Sequence, residues 1–214
     1  MGLRIPDRLF ARYYDRATEK YERAVADDRR RLLEGLGGVP GGTVVEIGPG
    51  TGANLDYLSP GTRLIGIEPN VHMHDLLREK AEPLGLDVDL RPLSAGKLPL
   101  EDAAVDVVLS TLVLCSVPDV DAALSEVRRV LRPGGRFLFW EHVLAPEGRW
   151  RRLFQHVMTP AQRFFASDCR ANRDLAASIR GAGFDSVELE RFEPPPEAGV
   201  PSWIRPHVRG TAVR

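Results

Sequence analysis

The run Thr43-Val44-Val45-Glu46-Ile47-Gly48-Pro49-Gly50-Thr51-Gly52 restricts the fold more than any other stretch of the chain. Its first half is β-branched and apolar enough to be a strand. Its second half places glycines at alternate positions, which lets the backbone turn sharply and approach a ligand closely. A strand that enters such a loop and leaves it through a short helix, predicted over residues 54–58, is the first half of an α/β unit. Ligands of open α/β sheets bind beyond the carboxyl ends of the strands, where helix N-termini offer free N–H groups.

The rest of the chain repeats the alternation. Apolar patterning predicts further strands over residues 63–68, 87–92, 105–110, 136–143, 186–192 and 207–213. It predicts helices over residues 6–36, 72–84, 119–131, 150–165 and 173–182, the segment at 150–165 as one helix or two. In the first helix Leu9, Phe10, Tyr13, Tyr14, Ala17, Tyr21 and Val25 recur at helical spacing. The nearly unbroken apolar run at 105–110 marks a parallel strand covered on both faces. Pro133-Gly134-Gly135 reads as a turn before the fifth strand. The expectation is an α/β fold with a mostly parallel seven-stranded sheet, helices on both faces and an antiparallel last strand. A chain of 214 residues fits one domain, 1–214, with 1–36 as a helical lid and 144–172 as a helical insertion near the substrate pocket.

Glu68 lies 20 residues beyond Gly48, at the end of the second strand, where a carboxylate can accept both hydroxyls of a ribose. Gly48-x-Gly50-x-x-Ala53 also satisfies the dinucleotide fingerprint. Glu46 favours a different nucleoside: a negative side chain suits the cationic amino group of a methionine tail and suits a pyrophosphate poorly. The residues favour S-adenosylmethionine and leave open an NAD-type oxidoreductase or a glycine turn that binds nothing.

Three motifs carry a family resemblance. Val45-Glu46-Ile47-Gly48-Pro49-Gly50-Thr51-Gly52, Ile67-Glu68-Pro69-Asn70 and Val130-Leu131-Arg132-Pro133-Gly134-Gly135 resemble those of the Rossmann-like class I S-adenosylmethionine-dependent methyltransferases. A closer resemblance joins Tyr13-Tyr14-Asp15, Ser110-Thr111-Leu112-Val113-Leu114-Cys115-Ser116-Val117, Phe139-Trp140-Glu141-His142-Val143 and Pro206-His207-Val208. These are similar to the methyltransferase-like alkyl-thiol S-methyltransferases, over nearly the whole chain from Leu9. The resemblance implies S-adenosylmethionine as donor, S-adenosylhomocysteine as product and a thiol as acceptor. The alternative is an oxygen, nitrogen or carbon atom of a small aromatic or quinone-like molecule. Where many members of the superfamily carry an acidic residue after the third strand, this chain has Ser94, and the hydroxyl or the backbone at Ala95 and Gly96 is left to meet the adenine.

On this reading the donor contacts Tyr14, Glu46, Gly48, Gly50, Thr51, Gly52, Asn54, Glu68, Pro69, Ser94, Ala95, Thr111, Leu112 and Ser116. The acceptor contacts Tyr13, Glu141, His156, Phe165 and His207. Methyl transfer from a sulfonium is an in-line displacement for which positioning alone supplies about 7–11 kcal/mol. A thiol with a pKa near about 8.5 is partly ionised at neutral pH and needs only a modest base. His142, at the end of the fifth strand, is the candidate catalytic base, with loop support as its competing role. Tyr13 and Tyr14 belong either to a lid over the donor or to an ordinary docked helix.

The remaining features set bounds. A net charge of -1 argues against nucleic acid as partner, and the clusters at Arg29–Arg31 and Arg149–Arg152 read as solvated helix faces. Cys115 reads as inert packing, Cys169 has no assigned role, and two distant cysteines imply no disulfide framework and suit the cytoplasm. His72 and His74 lack further ligands, so no metal site is expected. No signal peptide and no membrane anchor are expected, although mammalian members of the resembled family carry an anchor. The expected partner is a small-molecule acceptor, with the chain a monomer or homodimer.

Overall fold

The computed structural model describes residues 5–34, 36 and 42–214. Most of the glycine-rich break after the first helix, and the first four residues of the expected lid, lie outside them. The strands are β1 (Thr43–Ile47), β2 (Arg63–Ile67), β3 (Asp87–Arg91), β4 (Val105–Thr111), β5 (Leu131–His142), β6 (Ser186–Phe192) and β7 (His207–Val213). The helices are α1 (Asp7–Glu34), α2 (Val71–Ala81), α3 (Val120–Val130), α4 (Arg149–Phe165) and α5 (Leu175–Gly181). The sheet order is β3-β2-β1-β4-β5-β7-β6, and β7 runs antiparallel to both neighbours while the other pairs are parallel. The order reverses between β1 and β4, the crevice where such sheets bind ligands.

Alternation along the central strands sorts their side chains onto two faces. Val45, Ile47, Val108, Phe137 and Phe139 pack with Leu124 and Val127 of α3 and with Leu175 and Ile179 of α5. Val44, Leu64, Val107, Leu109 and Leu138 pack with Leu33 of α1 and with Leu77 and Ala81 of α2. Both faces are therefore apolar, which is why β4 reads as a continuous run. Trp140 continues the second face and is covered by Tyr21 and Val25 of α1 and by Ala198.

Several elements depart from expectation for local reasons. The short helix after the glycine loop is a single 3-10 turn, Leu55–Tyr57, because Ser59-Pro60-Gly61 stops it. Pro133-Gly134-Gly135 sits within β5 as an irregularity: Leu131 pairs with Val105, and the ladder resumes at Arg136 and Val107. The α5 helix starts after Asp174, whose side chain accepts from the Ala177 N–H, so Arg173 is free to brace another segment. In α4, which is one helix with Pro160 inside it, the buried face is polar: Gln155, Thr159 and Gln162. Its large apolar residues Trp150, Leu153, Val157 and Phe165 are exposed.

The stripe of α1 keeps Tyr21 and Val25 of its predicted positions and continues beyond them, while its early positions Leu9 and Ala17 are exposed. Leu9 is 51% exposed, and the buried line is Tyr21, Val25, Arg29 and Leu33, one residue per turn. Arg29 is thus no solvated charge, unlike its neighbours Arg30 and Arg31. Its guanidinium donates to Asn54 Oδ1 at 2.7 Å, pairs with Glu22 at 2.6 Å and lies over the Trp140 ring at 5.8 Å. Removing one partner from a buried ion pair leaves the other charge uncompensated. Arg29→Met is therefore expected to lower unfolding free energy by about 3–5 kcal/mol in urea titrations, against about 0.5 kcal/mol for Arg30→Met. Equal effects would place Arg29 outside the folded state's charge network.

Candidate active site

The glycine loop is held by its own strands and by Glu68. The Gly48 N–H donates to the Ile67 carbonyl at 2.9 Å. Glu68 accepts from the Gly50 N–H at 3.1 Å with one carboxylate oxygen and from the Asn70 N–H at 2.8 Å with the other. Gly48 has φ +61, and a Cβ there would meet Val113 Cγ2 at 2.4 Å, so both conformation and packing demand glycine. At Gly50, φ +55, a Cβ would come no closer than Met73 Sδ at 3.7 Å and Tyr14 Cε1 at 3.9 Å. The loop therefore faces open room at Gly50, with Tyr14 of α1 above it.

Glu46 stands on the other side of the loop and is buried. Its Oε1 accepts from Asn54 Nδ2 at 2.6 Å, while its Oε2 has no partner among the described residues. Asn54 also donates to Thr111 Oγ1 at 2.9 Å and accepts from Arg29, so it connects three elements. Burial pushes the Glu46 carboxyl up to about 7, against the pull of Asn54 and Arg29, and Glu68 adds to the push. Burial likewise raises Glu68 above the usual carboxylate range, with the Asn70 and Gly50 N–H groups opposing it. Thr51 donates to Asp15 of α1, which pairs with Lys80 at 2.8 Å. The Tyr14 hydroxyl is held protonated by burial among Glu22, Glu68 and Asp15.

Beyond β4 and β5 lies a second buried group. The Cys115 and Cys169 sulfurs are 3.2 Å apart, and His142 Nδ1 is 3.6 Å from the first and 3.5 Å from the second. Gln162 Nε2 donates to Cys169 Sγ at 3.0 Å. The contact with Cys115, helped by His142 and Gln162, holds the Cys169 thiol well below the usual range. The same contact, together with burial, pushes Cys115 well above it. Burial opposes charge on His142, but Cys169 and Glu141 outweigh it and raise the imidazole. This triad was not foreseen: the cysteines were read as an inert packer and a loop residue, and no metal site was expected. They come from chain segments 54 residues apart that only the fold brings together.

Other expected acceptor residues are placed differently. Glu141 is fully buried; its Oε1 accepts from Ser110 Oγ at 2.7 Å, while its Oε2 has no partner among the described residues. Burial pushes its carboxyl up to about 7, with the Ser110 hydroxyl opposing. His207 is also fully buried. Trp140 Nε1 donates to the Tyr21 hydroxyl at 2.7 Å, that hydroxyl meets His207 Nε2 at 3.2 Å, and His207 Nδ1 meets the Arg205 carbonyl at 2.6 Å. Burial and the neighbouring His142 hold His207 neutral, so it forms the wall behind His142, with ring centroids 4.6 Å apart. His156 is exposed and contacts the Arg152 carbonyl of its own helix, so it does not join the buried group. Tyr13 donates to the Phe165 carbonyl at 2.6 Å, tying α1 to the end of α4, with the Phe165 ring 60% exposed. Pro69 and Ser94 are exposed, Ala95 is buried, and Leu112 (φ +60) donates its N–H to the Trp140 carbonyl at 2.7 Å. Gly52 is buried against Leu55, and the Ser116 hydroxyl lies 3.7 Å from Cys115 Sγ.

A model of the methyltransferase domain matches residues 45–139, from β1 into β5. The human thiol S-methyltransferase TMT1B is 36% identical over 92% of this chain and 82% of its own length. Human thiol S-methyltransferase TMT1A is 35% identical over 96% and 86%. The chain belongs to this family of methyltransferases. Its fold also matches that of a Haemonchus contortus phosphoethanolamine N-methyltransferase 2 in complex with S-adenosyl-L-methionine, with a TM-score of 0.66, 16% identity and coverage of 98% and 60%. The chain is an S-adenosylmethionine-dependent methyltransferase acting on a small molecule, and the oxidoreductase reading falls. The loop leads only into the 3-10 turn Leu55–Tyr57, which offers a pyrophosphate no full α-helix N-terminus. No helix among the described residues is long and apolar enough to cross a membrane.

A cationic ligand reaching Glu46 binds its carboxylate form and draws its proton off. Because the free carboxyl titrates at about 7, affinity for adenosylhomocysteine is expected to rise with pH up to about 7 and then level off. Proton release, seen by calorimetry in buffers of different ionisation enthalpy, should fade above that pH. An affinity that does not change across this range would separate Glu46 from the ligand.

Proposed function

We propose that this methyltransferase transfers the methyl group of S-adenosylmethionine to the sulfur of a small thiol. The observation that carries this reading is the match, across nearly the whole chain, to relatives named thiol S-methyltransferases. The residues fit the donor: the unpartnered Glu46 oxygen suits a buried ammonium, and the open side of Gly50 admits a ligand against the backbone. Glu46, Asn54 and Thr51 would hold the methionine end, with Gly48, Gly50 and Gly52 letting it approach. Glu68 and Pro69 would hold the ribose, and Ser94 and Ala95 the adenine. Thr111, Leu112 and Ser116 line the side toward the acceptor. Tyr14, on α1, serves as a lid that excludes water above Gly50, and the segment 144–172 borders the acceptor.

Bound S-adenosylmethionine supplies an activated methyl group whose leaving partner is a neutral thioether. The chain's own task is then to hold the acceptor sulfur in line and favour its anion. We assign acceptor activation to His142, the half-buried imidazole at the end of β5. The two free thiols fit a reducing compartment.

Two measurements test this. With methyl-labelled donor, small alkyl and aryl thiols should yield labelled thioethers while matched phenols and amines do not; no labelled thioether would end the thiol reading. Glu68→Ala should weaken adenosylhomocysteine binding by roughly 10–100-fold, the loss of a charged acceptor to two hydroxyls, whereas His142→Ala should lower turnover with donor affinity kept.

A further inference from the structure

We propose that Cys115, Cys169 and His142 form a zinc-type metal site whose fourth position takes the acceptor's sulfur. The metal half of this inference stands on the cluster alone, and the acceptor half rests on the thiol reading above. Three ligand atoms within 4.8 Å of one another are the first ground. In a tetrahedral zinc site, bond lengths of about 2.3 Å to sulfur and about 2.0–2.1 Å to nitrogen place two sulfurs about 3.8 Å apart and sulfur about 3.6 Å from nitrogen. The observed sulfur–nitrogen separations are 3.6 and 3.5 Å, and the sulfurs need to part only slightly from 3.2 Å.

The surroundings hold these atoms in place. Arg173 Nη1 donates to the carbonyls of Leu114, Cys115 and Val117 at 3.0, 3.2 and 2.6 Å, fixing the turn that carries Cys115. The Arg170 N–H donates to the Cys115 carbonyl at 3.0 Å, joining that turn to the Cys169 loop. Ser167 and Asp168, just before Cys169, both have positive φ, at 47° and 64°. Non-glycine residues in that region persist only where the structure enforces them. Here Arg163 and Arg170 both pair with Asp168 at 2.6 Å. The outer contact is of the kind metal ligands receive: Gln162 Nε2 donates to Cys169 Sγ, while its buried Oε1 is without a partner. A plain disulfide would account for the sulfurs but not for His142 and Gln162.

Two cysteines and one histidine are a ligand set found in catalytic zinc sites with an open position. The site adjoins the donor loop, since a Cβ on Gly48 would meet Val113, two residues before Cys115. An acceptor thiol bound there loses its S–H proton to solvent, and His142 serves the activation assigned to it above as a ligand through Nδ1. The thiolate sulfur attacks the methyl carbon, forming one carbon–sulfur bond as the sulfonium's bond to that carbon breaks. The neutral thioether product is the weaker ligand and leaves.

The test uses the full chain, purified under reducing conditions, stripped with chelator and titrated with cobalt(II), then zinc(II). One equivalent of cobalt should give tetrahedral d–d bands and a thiolate charge-transfer band, which zinc displaces. Cys115→Ser and Cys169→Ser should lose the charge-transfer intensity. On the unmutated chain zinc should protect both cysteines from iodoacetamide, read by mass spectrometry, so the result does not hang on the variants' folding. No tetrahedral spectrum and no protection, or a Cys115–Cys169 disulfide persisting in reductant, overturns the site. A small alkyl thiol should shift the cobalt bands. Full thiol methylation by metal-free chain overturns the acceptor half and leaves the thiol reading standing. Cobalt bound by both cysteines with no thiol methylated keeps the site and removes that reading.

Discussion

A carboxylate buried beneath a glycine loop sets the terms for the rest of this molecule. Glu46 lies on β1, an inner strand of the sheet, where a lone buried charge is costly. The fold compensates it only in part. Asn54 donates to one oxygen and is itself oriented by Arg29, which reaches in from a helix whose other buried residues are mostly apolar. The second oxygen is left without a partner, and the carboxyl is poised near neutrality. On the proposed reading that incompleteness would favour a cation, since an ammonium would complete the network and a phosphate would meet two carboxylates. The same chain of contacts joins α1 to β1 and β4 through Asn54.

The opposite end of the crevice follows a different logic. There the buried groups are soft and polarisable, and Glu141 holds the Ser110 hydroxyl with one carboxylate oxygen. His207 is likewise committed to a Trp140–Tyr21 hydrogen-bond chain that keeps it neutral. His207 forms the wall behind His142, whose Nδ1 meets the two sulfurs. The polar buried face of α4 belongs to the same arrangement, with Gln155 holding the carbonyls of Val143, Ala171 and Trp203 and Gln162 reaching Cys169.

Much of this was legible in the chain because local patterns carry it. The strand boundaries of β1, β6 and β7 follow directly from alternation and flanking turns, and the cap at Asp119 is read from residue type alone. The glycine loop and its contact with Glu68 were legible because the glycines and the two flanking glutamates are near one another in sequence or separated by one βαβ step. Arg29 was not, since a charge in a helical basic run looks the same whether it faces water or a strand. The exposure of His156 was not legible for the converse reason: aromatic neighbours on a helix suggest a pocket, but α4 turns its apolar side outward.

Sequence by itself determined the α/β architecture, the switch-point loop and the class of donor, because periodicity, glycine conformation and charge act over a few residues. Tertiary structure alone decided which charges are buried and which sulfurs meet. Cys115 and Cys169 have no short-range relation, and their approach depends on the register of β4 against β5 and on a strained turn after α4. Distances of a few ångströms between segments so far apart are set by packing of the whole sheet, and no local pattern encodes them.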